Sequence, residues 1–303
     1  VRRNHRPIYF NTPKITFKNG VSPLATFACV TPHRGFIRFQ ESELHYSRAG
    51  QGTVSLLLFH GFGQSSEVFL QHAKVLGEIY TVYAFDLFFH GNSVWPMREA
   101  LEKPDWQIIM DTFLQQEGID RFEVGGFSLG GKFALTTLEF FAPRIDRLIL
   151  LAPDGIKTSF WYSLATYPIA TRALFRSMIL KPGRLHALVV LLRQLHLVDN
   201  GILRFAEHQM NTEEKRRRVY YSWVYFRHVK FNVKKVADQL NQNGIPLVLI
   251  TGRFDKIITT ANMKPFAGSV KNSQLLELEA GHNDLISKAV GLLVRPADDT
   301  QKR

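Results

Sequence analysis

The chain has 303 residues, 45% of them hydrophobic and 21% charged, a balance that allows a sizeable core and excludes wholesale disorder. Its 38 Lys and Arg outnumber 26 Asp and Glu, giving a formal charge of +12. The bases are dispersed, with small clusters at Arg2-Arg3, Lys215 to Arg218 and Lys234-Lys235, and no nucleic-acid-binding motif accompanies them. The charge therefore reads as a solvated surface with a membrane-surface option, not as a nucleic-acid footprint.

Cys29 is the single cysteine, which excludes an internal disulfide and sets the expectation of a reducing, cytoplasmic location. No apolar run approaches the roughly 20 residues needed to cross a bilayer.

Residues 1–34 are rich in Pro, Thr, Asn and bases, and read as a surface arm. Gly35 to Gln40 and Glu43 to Ser47 alternate as a hairpin does. Val54 to Phe59 is almost wholly apolar, as expected of a strand covered on both faces. Strands and helices then alternate: helix Ser66 to Leu76, strand Tyr80 to Phe85, helix Asp105 to Gln116, strand Phe122 to Gly125, helix Gly130 to Phe141, strand Leu148 to Leu151. That alternation predicts βαβ crossovers and an α/β fold with a mostly parallel sheet.

From Gly155 to Gln242 the pattern is helical only, with predicted helices over Phe160 to Leu180, Arg184 to Val198, Gly201 to Met210 and Thr212 to Leu240. Strands resume at Pro246 to Thr251 and Gln274 to Leu278. The expected organisation is an arm over 1–34, a core over 35–154 and 243–303, and an inserted helical cap over 155–242. The aromatic residues Phe160, Trp161, Tyr162, Tyr167, Phe175, Trp223, Tyr225 and Phe226 suggest an apolar lining for that cap, most of them packing it on the core and a few facing substrate. The apolar stretch Arg184 to Val198 reads as a helix packed on its neighbours in preference to one touching lipid.

Gly126-Phe127-Ser128-Leu129-Gly130 directly follows a predicted strand and opens a helix. Such a turn lifts a serine hydroxyl off the strand end in a strained backbone conformation. A serine hydroxyl is a weak nucleophile and needs a base, an acid to orient the base, and donors for a developing oxyanion. His282 follows the last strand and Asp255 the strand before it, so the chain order is Ser, Asp, His. His60-Gly61-Phe62-Gly63 follows the first buried strand, and the backbone N–H groups of Phe62 and Leu129 form the natural oxyanion pair. Asp154, in the turn Pro153-Asp154-Gly155, is an alternative acid just past another strand, with Asp255 favoured. His60 and His90 read as loop-orienting residues. No Cys or His cluster has metal-ligand spacing, and no dinucleotide loop is present, so neither a metal nor a cofactor is expected.

With these residues in place, the chain resembles the α/β-hydrolase superfamily, in the lid-bearing group of esterases, lipases and carbon–carbon bond hydrolases. The resemblance covers about residues 35 to 290. It rests on His60-Gly61-Phe62-Gly63, Asp86 to Ser93, Gly126 to Gly131, Gly252 to Asp255 and Gly281 to Asp284. It implies Ser128 as nucleophile, His282 as general base and then acid, and Asp255 as the group holding the imidazole. Phe88 and Phe89 depart from the small or polar residue more usual before His-Gly, and are expected to narrow the pocket or make it more apolar, without touching the triad.

The resulting expectation is a cofactor-independent serine hydrolase acting on a small carboxylic ester with an apolar acyl or aromatic group. The alternatives are cleavage of a carbon–carbon bond by the same residues, or a member of the fold that binds a ligand without turnover.

Overall fold

The computed structural model describes residues 32–156, 160–196, 203, 207 and 209–294. The predicted arm up to residue 31, Cys29, most of the helix expected over Gly201 to Met210, and the side chains of Phe160 and Trp161 lie outside the described residues.

Eight strands form one sheet: β1 (His33–Phe39), β2 (Ser42–Ala49), β3 (Val54–Phe59), β4 (Tyr80–Phe85), β5 (Phe122–Phe127), β6 (Ile145–Leu151), β7 (Leu247–Gly252) and β8 (Ser273–Leu278). Their order is β1-β2-β4-β3-β5-β6-β7-β8, and from β4 to β8 every pair is parallel. The hairpin β1-β2 adds two antiparallel strands at one edge. The fold class is therefore the expected α/β sheet.

The apolar runs follow from coverage on both faces. Odd residues Leu57, Phe59, Tyr83 and Phe85 enter one apolar layer, while Leu56, Leu58, Val82 and Ala84 enter the other. The first layer is closed by α3 (Lys103–Gln116), α4 (Leu129–Phe141), α9 (Val233–Asn243) and α10 (Thr260–Ser269). The second is closed by the short helices α1 (Glu67–Leu70) and α2 (Ala73–Leu76), together with α11 (Leu285–Leu293). A strand alternates sides every residue, so burial on both faces demands an unbroken apolar run.

Between β6 and β7 the described elements are all helical: α5 (Phe160–Thr166), α6 (Ile169–Leu180), α7 (Pro182–Gln194), α8 (Glu213–Tyr225) and then α9. The predicted helix Phe160 to Leu180 is broken at Pro168, whose ring cannot donate within a helix. The predicted helix Thr212 to Leu240 is also two helices. Thr212 caps α8 by accepting from the Lys215 N–H at 3.2 Å, and Asn232 caps α9 by accepting from Lys234 at 3.0 Å and Lys235 at 3.2 Å. The turn between them drives Phe226 into the core, where it is 1% exposed and meets the Phe133 ring edge-on at 4.9 Å.

α7 packs on α6 as expected and buries Val189, while its Leu191 and the following Leu195 are exposed.

Trp106 anchors α3 to the first layer, fully buried against Phe59 and Phe133, with its indole N–H donating to the Thr137 hydroxyl at 3.0 Å. Trp106→Ala removes that bulk from a site closed on all sides. It should lower the unfolding free energy by about 3–5 kcal/mol, read from urea denaturation; a loss under about 1 kcal/mol would show that the layer refills.

Candidate active site

β3 and β5 are neighbours although β4 lies between them in sequence, so chain connections leave their carboxyl ends in opposite directions. Open α/β sheets form a crevice at such a point. The turn after β5 is tight. Ser128 has φ 49° and ψ −116°, outside the regions open to an ordinary side chain, at a cost of about 1–3 kcal/mol. A Cβ on Gly126 would lie 2.3 Å from the Gly130 carbonyl oxygen, and one on Gly130 would lie 1.9 Å from that of Phe59. Glycine is thus required at both positions if α4 is to start against the end of β3.

Hydrogen bonds hold the strained residue. The Ser128 N–H donates to the Leu151 carbonyl at 3.0 Å, and its own carbonyl accepts from Gly131 at 2.9 Å and Asp154 at 2.8 Å.

Ser128, His282 and Asp255 come together in one row. Ser128 Oγ lies 3.0 Å from His282 Nε2, and His282 Nδ1 lies 2.6 Å from Asp255 Oδ2. Asp255 is 4% exposed, and its other oxygen, Oδ1, accepts from the N–H groups of Ile257 at 2.8 Å and Ile258 at 2.9 Å. An acceptor-only carboxylate opposite Nδ1 places the imidazole proton there, which leaves Nε2 as the acceptor for the serine hydroxyl. The Phe127 ring packs beside the imidazole, with ring centroids 4.9 Å apart.

Asp154 does not join this row. Its carboxylate lies 3.4 Å from the ammonium of Lys132, and its backbone N–H is one of the donors that hold Ser128. Lys132 is a buried lysine on α4 with its ammonium 4.8 Å from the Tyr162 ring centre. Burial pulls its pKa down, and the Asp154 and Tyr162 charges outweigh that pull, so it stays above its ordinary value. A lone lysine beside Phe133, Ala134 and Leu135 was the sequence signal for this pair, and sequence reasoning passed over it.

The N–H groups of Phe62 and Leu129 have no hydrogen-bond acceptor among the described residues. Leu129 opens α4, where the first N–H groups of a helix are left over. The loop carrying Phe62 is fixed from below. His60 Nε2 accepts from the Leu87 N–H at 3.0 Å, so the ring's proton is on Nδ1, 2.7 Å from the Gly61 carbonyl. Asp86 ties down the adjoining loops, accepting from the N–H groups of Ser66 at 2.7 Å and Asn92 at 2.9 Å. Its place at the end of β4 was visible in sequence, but that role was not.

The two phenylalanines expected to narrow the pocket are packing residues instead. Phe88 is fully buried with its ring 4.8 Å from that of Trp95. Phe89, at φ 68°, stacks on Tyr221 at 5.7 Å and touches Tyr225 and Phe226, joining the sheet edge to α8. The aromatic residues of the insertion likewise pair among themselves, Trp223 with Tyr162 at 5.4 Å and with Phe175 at 5.7 Å.

A sequence model of the alpha/beta hydrolase fold matches residues 54–289, most of the chain. The chain belongs to the alpha/beta hydrolase fold family.

Within or beside that family, it is 30% identical over 112 residues to the dihydrolipoyllysine-residue acetyltransferase component of an acetoin cleaving system from Cupriavidus necator, covering 37% of this chain and 30% of that one. It is 34% identical over 129 residues to an uncharacterized protein of Mycobacterium tuberculosis, covering 42% of this chain and 37% of that one. The matched stretch spans about a third of the length of these curated relatives. Among solved structures it is similar to a thermophilic esterase from Thermogutta terrifontis, with a TM-score of 0.64 and 18% identity over 89% of this chain and 98% of that one. That likeness is one of fold.

His60 and His90 give this site a pH-dependent footing. Burial lowers the pKa of both; Gly61 and Asp86 partly oppose this at His60, and the neighbouring His60 adds to it at His90. Above pH 6.5 both are neutral, folded or unfolded, and the full stability is present. Below it the unfolded chain takes up protons that the fold refuses, so stability falls as pH falls, by up to roughly 1.4 kcal/mol per pH unit for each histidine. Urea midpoints should therefore drop between pH 7.5 and pH 5, and His90→Asn should flatten the slope. An unchanged slope in that variant would contradict a neutral His90.

Proposed function

We propose that this chain is a serine hydrolase that cleaves carboxylic esters through an acyl-enzyme. The observation that carries the reading is the row Ser128 Oγ to His282 Nε2 at 3.0 Å and His282 Nδ1 to Asp255 Oδ2 at 2.6 Å, with the serine held at the mouth of a helix. As Ser128 Oγ bonds the ester carbonyl carbon, its proton passes to His282 Nε2. Asp255 keeps the ring oriented and offsets the imidazolium charge. The oxygen that gains the negative charge meets the N–H groups of Phe62 and Leu129. Collapse expels the alcohol, which takes the proton from Nε2, and water then repeats the sequence to release the acid.

Apolar side chains on the loops that carry the site support an apolar acyl or aromatic substrate. Phe62 is half-buried on the oxyanion loop, while Phe254 and Ile257 flank Asp255 with exposures of 62% and 40%. In this reading the helices from α5 to α8 form the cap, with the Phe89 cluster and the Lys132–Asp154 pair as its attachments, while α9 closes the sheet layer.

Asp255, not Asp154, is assigned as the acid, since only its carboxylate reaches the imidazole. A fluorophosphonate probe should label the chain stoichiometrically at Ser128, and Ser128→Ala should abolish labelling. Failure to label folded protein would sink the enzyme reading and favour a binding member of the fold. Against a series of p-nitrophenyl esters, Asp255→Asn should lower kcat by about three to four orders of magnitude, whereas Asp154→Asn should stay within about tenfold. The reverse ranking would transfer the role to Asp154.

A further inference from the structure

From Gly155 to Val198 the chain has no Asp or Glu, yet it carries Lys157, Arg172, Arg176, Lys181, Arg184 and Arg193. The described helices of this stretch also expose large aliphatic side chains. Ile169 is 77% exposed, Leu180 60%, Leu195 56%, Leu174 52% and Leu191 50%.

These residues are ordered by helical spacing. On α6, Ile169, Ala173, Arg176 and Leu180 recur at intervals of four, three and four, and all four are exposed. On α7 and its last turn, Arg184, Ala187, Leu191 and Leu195 recur at three, four and four, again all exposed. Ile179 on α6, 4% exposed, and Val189 on α7, 5% exposed, turn inward. Each helix therefore shows solvent a stripe of aliphatic residues with an arginine in it.

We propose that the exposed faces of α6 and α7 dock on a bilayer surface that carries anionic phospholipid. Charge complementarity selects this occupant. Arg193 is paired with Glu207, but among the described residues Arg172, Arg176, Lys181 and Arg184 form no ion pair. A second copy meeting this face about a two-fold axis would set bases against bases, which disfavours self-association.

A protein partner is the weaker fit. Protein interfaces are anchored by aromatic side chains, whereas here Phe175, Tyr162 and Trp223 are half-buried and pack on each other. Scattered Leu and Ile among arginines suit insertion into headgroups, which needs no shape match. No described helix is long and apolar enough to cross a membrane, so the contact lies along the surface.

Flotation with vesicles tests this without reference to turnover, using the full chain and its Ser128→Ala variant. Both should float with phosphatidylcholine–phosphatidylglycerol vesicles, remain behind with phosphatidylcholine alone, and be released by high salt. Arg176→Glu/Arg184→Glu and Leu180→Ser/Leu191→Ser should each lower the bound fraction at least about tenfold, with hydrolysis of a soluble ester unchanged. Lys234→Glu/Lys235→Glu, the same charge change on α9, should bind as the unaltered chain does. Three results would overturn the proposal: no binding to anionic vesicles, equal loss in the α9 variant, or a dimer in solution that the α6–α7 substitutions dissolve. Loss of ester turnover with vesicle binding retained would count against the serine hydrolase reading alone.

Discussion

The backbone strain at Ser128 is the constraint to which the rest of the structure answers. A residue at φ 49° and ψ −116° persists only where its surroundings over-determine it. Here β6 supplies an acceptor for its N–H through Leu151, and the turn after β6 supplies a donor for its carbonyl through Asp154. The Ser128 position is thus built from β5 but fixed by β6. The same turn carries the carboxylate that meets Lys132, and Lys132 in turn faces Tyr162 of the insertion. One short loop therefore links the strained serine to the first helix beyond the sheet.

The chemistry-bearing side chains are held by the same logic of complete hydrogen bonding. Asp255 uses one oxygen for two backbone N–H groups and the other for His282, so the imidazole can take only one orientation against it. His60 has both ring nitrogens occupied and is locked in one neutral tautomer. Low-dielectric surroundings make such satisfied polar groups rigid and make broken ones costly. The strain at the elbow is tolerated because the N–H and carbonyl of Ser128 are both partnered, while the N–H groups of Phe62 and Leu129 beside it are left without an acceptor among the described residues.

Much of this was legible in the sequence because it is periodic or local. The strands β3 and β4 could be read to the residue, since coverage on both faces demands apolar runs. The Ser128 turn could be read because its glycines are forced by contacts within a few residues. Long-range packing could not be read in that way. Phe88 and Phe89 stood out as aromatic residues in a loop, and an aromatic side chain fits a pocket wall and a packing anchor equally well. Only the positions of Trp95 and Tyr221 decide between these. The single helix expected from Thr212 to Leu240 failed for a related reason. Helical periodicity continues through the break, and what interrupts it is the burial of Phe226 against Phe133.

The insertion shows how a fold can separate two demands on one set of residues. Its inner side is aromatic and tightly paired: Tyr221, Tyr225 and Phe226 close on Phe89, while Trp223, Tyr162 and Phe175 close on one another. Rings give large contact areas with few rotatable bonds, which suits a joint that must keep its position. Its outer side is aliphatic and basic, with no carboxylate between Asp154 and Asp199 to neutralise it. Had the outer stripe been aromatic as well, it would favour collapse onto the inner one. Had it carried acids, it would be an ordinary solvated surface. Ring-bearing residues pack inward, while Ile169, Leu180, Leu191, Arg176 and Arg184 stay outward, so the segment is attached on one side and open on the other.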